Sequence, residues 1–172
     1  PGFFYPHLQS GITSEKQGAL SQAKSRLNRS IELLPTSQAY NALGNIAQRQ
    51  GNTEEAREYF AAASSDSGAS GQAALNSLIK MDLNGNPGAY IGFRYGANEA
   101  GELQIEVSNK APRAFKNISL SINYVDQRGK LRNSRRQLSL LSANEAKLIN
   151  TGLISPQGEA QISVISATLI EG

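Results

Sequence analysis

Few side chains in this sequence could do chemistry, and their spacing limits what kind. The chain has one histidine, His7, and no cysteine. Hydrolytic zinc chemistry needs two imidazoles one helical turn apart, a third ligand and a carboxylate base, so His7 builds no such centre alone. A serine or threonine nucleophile would also have to borrow His7, and no G-x-S-x-G or S-x-x-K stands in a suitable setting. The absence of cysteine excludes disulfides, thiolate ligands and thiol catalysis, and leaves the compartment open. Glu54, Glu55 and Glu58 cluster, yet they fall where a helix begins and where its dipole favours negative charge. "GASG" (68–71) is too short for a phosphate loop and lacks its lysine. The chain itself is expected to be no enzyme and to hold no cofactor and no metal.

Two polar groupings remain. Arg128, Lys130 and Arg132 alternate along a strand, with Arg135 and Arg136 beyond them. Without interleaved aromatics they are not a stacking platform, and a net charge of +3 is too small to imply a polyanion. A strand edge guarded by charge explains them, and no nucleic-acid partner is expected. The second grouping lies in "AYNALGNIAQRQGNTEEAREYFAAA" (39–63), where Asn41, Asn45, Gln48 and Arg49 stand off an apolar stripe. The sequons at Asn28 and Asn117 fall in a helix and at a strand start, so neither is taken as a glycosylation site.

The elements that position these residues come from periodicity. Tyr40, Leu43, Ile46 and Ala47 form one helical stripe; Leu20, Ala23, Leu27, Ile31 and Leu34 form another, ended by Pro35. Gly11, Gly18, Ala23, Leu27 and Ser30 recur as Gly44, Gly51, Ala56, Phe60 and Ala63 at one offset of 33 residues. Each unit therefore reads as two antiparallel helices. Asn52 is expected as N-cap, with Glu55 completing a capping box. Ala74, Leu75, Leu78 and Ile79 mark a further helix that would cap the array. The small residues Gly44, Ala56 and Ala63 would let helices approach closely.

At "NGNPG" (84–88) the period changes to two. Ile91, Phe93 and Tyr95, then Leu103, Ile105 and Val107, then Ile118, Leu120, Ile122 and Tyr124 alternate with polar residues. "DQRG" turns the third strand into "KLRNSRRQLSLL". Ala146 and Leu148, then Ile162 and Val164, mark two more strands around "SPQG" (155–158). The expected fold is α+β: helical hairpins with a capping helix over 1–84, a linker at 85–88, and a separate antiparallel β-sandwich over 89–172. No run reaches the roughly 18 apolar residues of a membrane helix. A start at Pro1 without a signal-peptide pattern and an end at Gly172 read as a segment of something longer, or as a mature processed end.

The helical half resembles tetratricopeptide repeats. Tyr40, Leu43, Gly44, Ala47, Gly51, Ala56, Phe60 and Ala63 meet that pattern, with Gly68 in place of its final proline; the first unit keeps Gly11, Gly18, Ala23, Leu27 and Pro35 but has His7 and Ser10 where an aromatic and a leucine belong. The resemblance implies a groove for an extended peptide or protein partner, lined by Asn41, Asn45, Gln48 and Arg49. Asn45 matches the position whose amide holds a ligand backbone. Asn41 stands where a carboxylate-gripping groove has lysine, so an acidic C-terminus is not the expected ligand. "VSNKAP" (107–112) and "INYVDQRGKL" (122–131) resemble Ig-like domains of bacterial envelope proteins. The order of repeats, NPG-aY and sandwich resembles the C-terminal part of bacterial HtpX-like zinc metallopeptidases, which implies a periplasmic or envelope location, an upstream protease domain as a further contact, and zinc only there. A free-standing envelope scaffold, or a cytoplasmic location, is the alternative. A third reading, sugar or lipid binding by the sandwich, is set back because Tyr90, Phe93, Tyr95 and Tyr124 read as core.

Overall fold

The computed structural model describes residues 3–155 and 159–171. Among the described residues five helices precede six strands, so the class is α+β. The chain divides into two units, Pro1–Ile79 and Lys80–Gly172, and each is taken by itself.

The first unit holds α1 (Phe4–Lys16), α2 (Leu20–Leu33), α3 (Ser37–Arg49), α4 (Thr53–Ser64) and the start of α5 (Ala69–Gly85). The 33-residue repeat is physical as well as sequential. The N–H of Ala19 reaches the carbonyl of Ser14 at 2.9 Å, and the N–H of Asn52 reaches that of Ala47 at 2.9 Å. Gly18 and Gly51 precede these donors with φ of +77° and +78°. Both helices thus end in the same left-handed glycine turn, which reverses the chain into the next helix. The hairpins close on the same contact as well. A Cβ on Gly11 would stand 2.6 Å from Leu27 Cγ, and a Cβ on Gly44 would stand 2.6 Å from Phe60 Cδ1 and Cε1. Leu27 and Phe60 are each wholly buried. Leu8, Ala23, Leu27, Ala39, Ala42, Leu43 and Ile46 form the shared core, flanked by Phe4, Ile12, Leu20, Ile31 and Tyr59.

Two local expectations are corrected. Asn52 holds the N-cap position of α4, but its side chain makes no cap hydrogen bond and its N–H is already spent on Ala47, so no capping box forms. The Asn52 side-chain amide instead donates to Glu55 Oε2 at 3.3 Å, and Glu55 Oε1 takes the Lys24 ammonium of α2 at 2.6 Å. Leu34 leaves the stripe: α2 stops at Leu33, and Leu34 is extended and 45% exposed, the conformation a following proline favours.

The second unit holds β1 (Ile91–Ala97), β2 (Glu102–Asn109), β3 (Phe115–Val125), β4 (Leu131–Leu141), β5 (Ala146–Ile154) and β6 (Ala160–Leu169). They pair antiparallel as two three-stranded sheets, β1-β2-β5 and β4-β3-β6. Leu103, Ile105 and Val107 of β2 and Phe115, Ile118, Leu120 and Ile122 of β3 are fully buried, so the two central strands supply the sandwich core. The division of the chain falls inside α5, and the turn at 85–88 belongs to this unit. There Gly88 lies against Val164 of β6.

Asparagine and aspartate side chains shape the turns. Asp126 Oδ1 accepts the N–H groups of Arg128 and Lys130, while its other oxygen takes Arg132 Nε at 2.8 Å. Asn98 Oδ1 likewise accepts Ala100 and Glu102. Asn109, 3% exposed, does most. Its oxygen takes the Ala111 N–H, and its nitrogen donates to the carbonyls of Arg113 at 2.7 Å and Ser142 at 2.9 Å. It thereby ties the β2–β3 connection to the β4–β5 turn.

Tyr95 departs from the core reading, and Leu148 shows which face of β5 is outward. Leu148 pairs with Glu106 on the outer face of its sheet and is 59% exposed; period-two alternation marks a strand without saying which face is inward. Tyr95 is 48% exposed near the end of β1 and lines a cleft of about 540 Å³ with Tyr124, Leu131 and Gln161. The turn expected at 155–158 has residues 156–158 outside the described set.

The Gly44 contact predicts that Gly44→Ala destabilises the protein although alanine favours helix by up to about 1 kcal/mol. The added methyl must displace a ring with no free space, and overpacking of this kind costs about 1–3 kcal/mol. Chemical denaturation followed by circular dichroism measures the balance. Asn109→Ala is expected to lower stability by about 1–3 kcal/mol through orphaned carbonyls, read from the same curves.

Candidate functional site

The expected site lies on α3. Thr36 starts this helix: its side-chain oxygen accepts the Ala39 N–H at 3.2 Å. Ala39, Ala42, Leu43, Gly44, Ile46 and Ala47 are buried, which turns most of the helix into packing surface. The polar residues are left with what remains of its circumference.

Their fates differ. Asn41 and Asn45 are half-buried, and Gln48 is exposed. The Asn41 oxygen is enclosed and has no hydrogen-bond partner among the described residues. An enclosed amide oxygen without a donor is uncommon in a folded protein and asks for a reason. Arg49 is committed inside the unit. Its guanidinium donates to the Glu15 carbonyl at 3.3 Å and lies 3.4 Å from Glu15 Oε1. Glu15 sits at the C-terminal end of α1 with its side chain only 9% exposed. The contact therefore clamps α1 to α3, and the guanidinium sits where a helix dipole favours a cation. Asn41 and Asn45 stand four residues apart on one side of α3, with Gln48 three residues further; Arg49 serves the neighbouring helix.

Electrostatics elsewhere in the unit is structural. The Lys24 ammonium holds the Glu55 carboxyl below its usual range, and the same bond raises Lys24. Burial raises the Tyr59 hydroxyl, with the Glu55 charge adding to it. A cleft of about 410 Å³ lies where α3 and α5 begin, lined by residues 35–38, Asp66 and 68–70. Two helix N-termini there would welcome an anion, and Asp66 already supplies one: it accepts the Gly68 N–H at 2.6 Å and the Ser37 hydroxyl at 2.8 Å. Those two bonds, the Gly68 one foremost, hold its carboxyl below the usual range. Sequence reasoning missed both Asp66 and the Glu15–Arg49 clamp. The S-x-D-x-G stretch "SSDSG" was a signal for the first; nothing local marked the second.

Among the described residues no group of three or more His, Cys, Asp or Glu could hold a metal, and no helix is long and apolar enough to cross a membrane. The basic run lies in the β3–β4 turn and on β4, an edge strand of its sheet. Arg132 is held by Asp126, and Arg136 donates to the Thr151 carbonyl of β5 at 3.2 Å from Nε.

No family model matches the chain, and no curated protein matches it. Among solved structures, Pseudomonas fluorescens alkylpurine DNA glycosylase AlkC bound to DNA containing an abasic site analog is matched over 93% of this chain and 53% of its own, at 11% identity and a TM-score of 0.27. The chain thus spans about half the length of that protein, and at this TM-score the likeness carries no argument about fold or function.

Asp66, depressed in the folded state, stabilises the first unit above the unfolded carboxylate pKa, and that contribution is lost as pH falls through its folded value. Asp66→Ala is therefore expected to destabilise at pH 7 and to lose less stability than wild type between pH 5 and pH 3. Thermal unfolding across that range measures it.

Proposed function

We propose that the helical unit is a non-catalytic interaction module, holding an extended stretch of a protein partner along α3 through Asn41, Asn45 and Gln48. The observation that carries this reading is the enclosed Asn41 oxygen, which has no hydrogen-bond partner among the described residues, on a side of α3 that also presents the half-buried Asn45 and the exposed Gln48. Amides fit an extended peptide because each offers a donor and an acceptor to a backbone that presents both. Arg49, given to the sequence-based site, belongs in this reading to the frame that positions α3.

The wider context rests on sequence motifs. The tetratricopeptide pattern and the envelope-type β half support a place in the C-terminal part of a bacterial envelope zinc metallopeptidase, where the module presents substrates or partners to a protease domain encoded upstream. An H-E-x-x-H helix in the upstream reading frame is the expected finding; a signal peptide directly before Pro1 would overturn that context and leave the module itself untouched.

For the module, the expected outcome is a split between two substitutions. Against a library of unstructured ten-residue peptides, Asn45→Ala weakens the strongest binder by about tenfold, the scale of one lost hydrogen bond in a desolvated site, with thermal stability unchanged. Arg49→Ala lowers the melting temperature through loss of the clamp. Equal affinity of Asn45→Ala and wild type removes the site.

A further inference from the structure

A sandwich of two three-stranded sheets has four edge strands, β1, β5, β4 and β6. Natural edges are guarded, because a free row of N–H and C=O groups is a template for another strand. Three of these four carry charge: Arg94 on β1, Lys147 on β5, and Arg132, Arg135 and Arg136 on β4. β6, "AQISVISATL", carries no charged residue, proline or glycine over its ten residues. Its composition is that of a strand expecting a neighbour.

The side chains agree. Ile162 and Val164 pair with Ile122 and Leu120 of β3; those partners are fully buried, whereas Ile162 and Val164 are only half-buried. The interior is sealed at the central strand and only partly covered toward β6, where Gly88 stands against Val164 and Leu83 shares a cleft with Ala167 and Leu169. Ile165 is 43% exposed. It is the extra residue of an irregularity in the ladder, where β3 advances from Ser119 to Leu120 while β6 passes from Ser166 to Val164.

That irregularity gives β6 an unusual symmetry. Before it, Ala160, Ile162 and Val164 face inward and Gln161 and Ser163 outward; after it, Ser166 and Thr168 are outward and Ala167 and Leu169 inward, as their β3 partners and the strand's alternation fix. Laid antiparallel against a second β6 about an axis between Val164 and Ile165, outward residues meet outward ones, Ser163 with Ser166 and Gln161 with Thr168. Inward residues meet inward ones, Ile162 with Ala167 and Ala160 with Leu169; only the pair at the axis is mixed, inward Val164 against the extra residue Ile165. An unshifted ten-residue strand in this register would set each inward side chain against an outward one.

We propose that β6 pairs with β6 of a second copy of this chain about a two-fold axis, joining two sheets into one of six strands, β4-β3-β6-β6-β3-β4. Such an interface is self-complementary, leaves no charge opposite charge, and ends on the arginine-bearing β4 strands at both outer edges. The guard on β4 and its lack on β6 then have one explanation: assembly proceeds by one step and stops.

Analytical ultracentrifugation of the whole chain tests this. Wild type is expected to be dimeric at roughly 100 µM. Ile165→Lys and Ile165→Glu, each at an exposed position beside the axis, are expected to be monomeric with unchanged circular dichroism, since like charges would meet across it. Mixed in equal amounts, the two variants are expected to recover the dimer, whereas Arg135→Glu on β4 leaves wild-type association unchanged. A monomeric wild type, including one that takes up a strand from another protein, would overturn the proposal. So would a dimer that survives either Ile165 variant, or a mixture that stays monomeric.

Discussion

The helical unit depends on a glycine pressed against a bulky side chain, made twice. Gly11 meets Leu27 and Gly44 meets Phe60 at separations that leave no room for a methyl group. Everything else in that unit follows from how closely the two helices of each hairpin lie. Gly18 and Gly51 supply the left-handed turns that let the second helix return so near. Ala23, Ala56 and Ala63 keep the seam thin, and the core of Leu8, Leu43 and Ile46 fills what lies between hairpins. Because packing consumes most of α3, the polar residues that remain on it are few, and their condition is informative.

The sandwich follows a different economy. Its core comes from two central strands, and in its turns short side chains add to the backbone pairing. Asn98, Asn109 and Asp126 each gather backbone donors that a tight turn would leave unsatisfied. Asn109 also reaches across to the β4–β5 turn, so the motif "VSNKAP" carries a structural staple in its third position. β4 shows how charge is used at an edge: Arg136 reaches the β5 carbonyl at Thr151, closing the gap between the sheets on that side.

Much of this was legible beforehand, and the failures share a cause. The change of period near residue 88 and most of the helices and strands follow from spacing, because helical and strand periodicity are local; α1 rested on the 33-residue repeat and β4 on the turn before it. Tyr95 was read as core because it continues the alternation of Ile91 and Phe93; it does share their face, opposite the buried Ile105, but it lies near the end of an edge strand, and what covers a strand end is non-local. Glu55 was read as half of a capping box because its spacing from Asn52 fits one, yet the glycine turn had already claimed the Asn52 N–H. The contact of Arg49 with Glu15 went unseen because its partner lies 34 residues earlier.

The central claim is that the amide edge of α3 is reserved for a partner and is not simply solvated surface. The side-chain NH2 resonances of Asn41, Asn45 and Gln48 report on it directly, since each gives its own pair of peaks in a nitrogen–proton correlation spectrum. Titration with the strongest-binding ten-residue peptide is predicted to shift these pairs, and to slow their exchange with water. Saturable binding that leaves all three pairs unmoved, with shifts confined to other elements, would contradict the account.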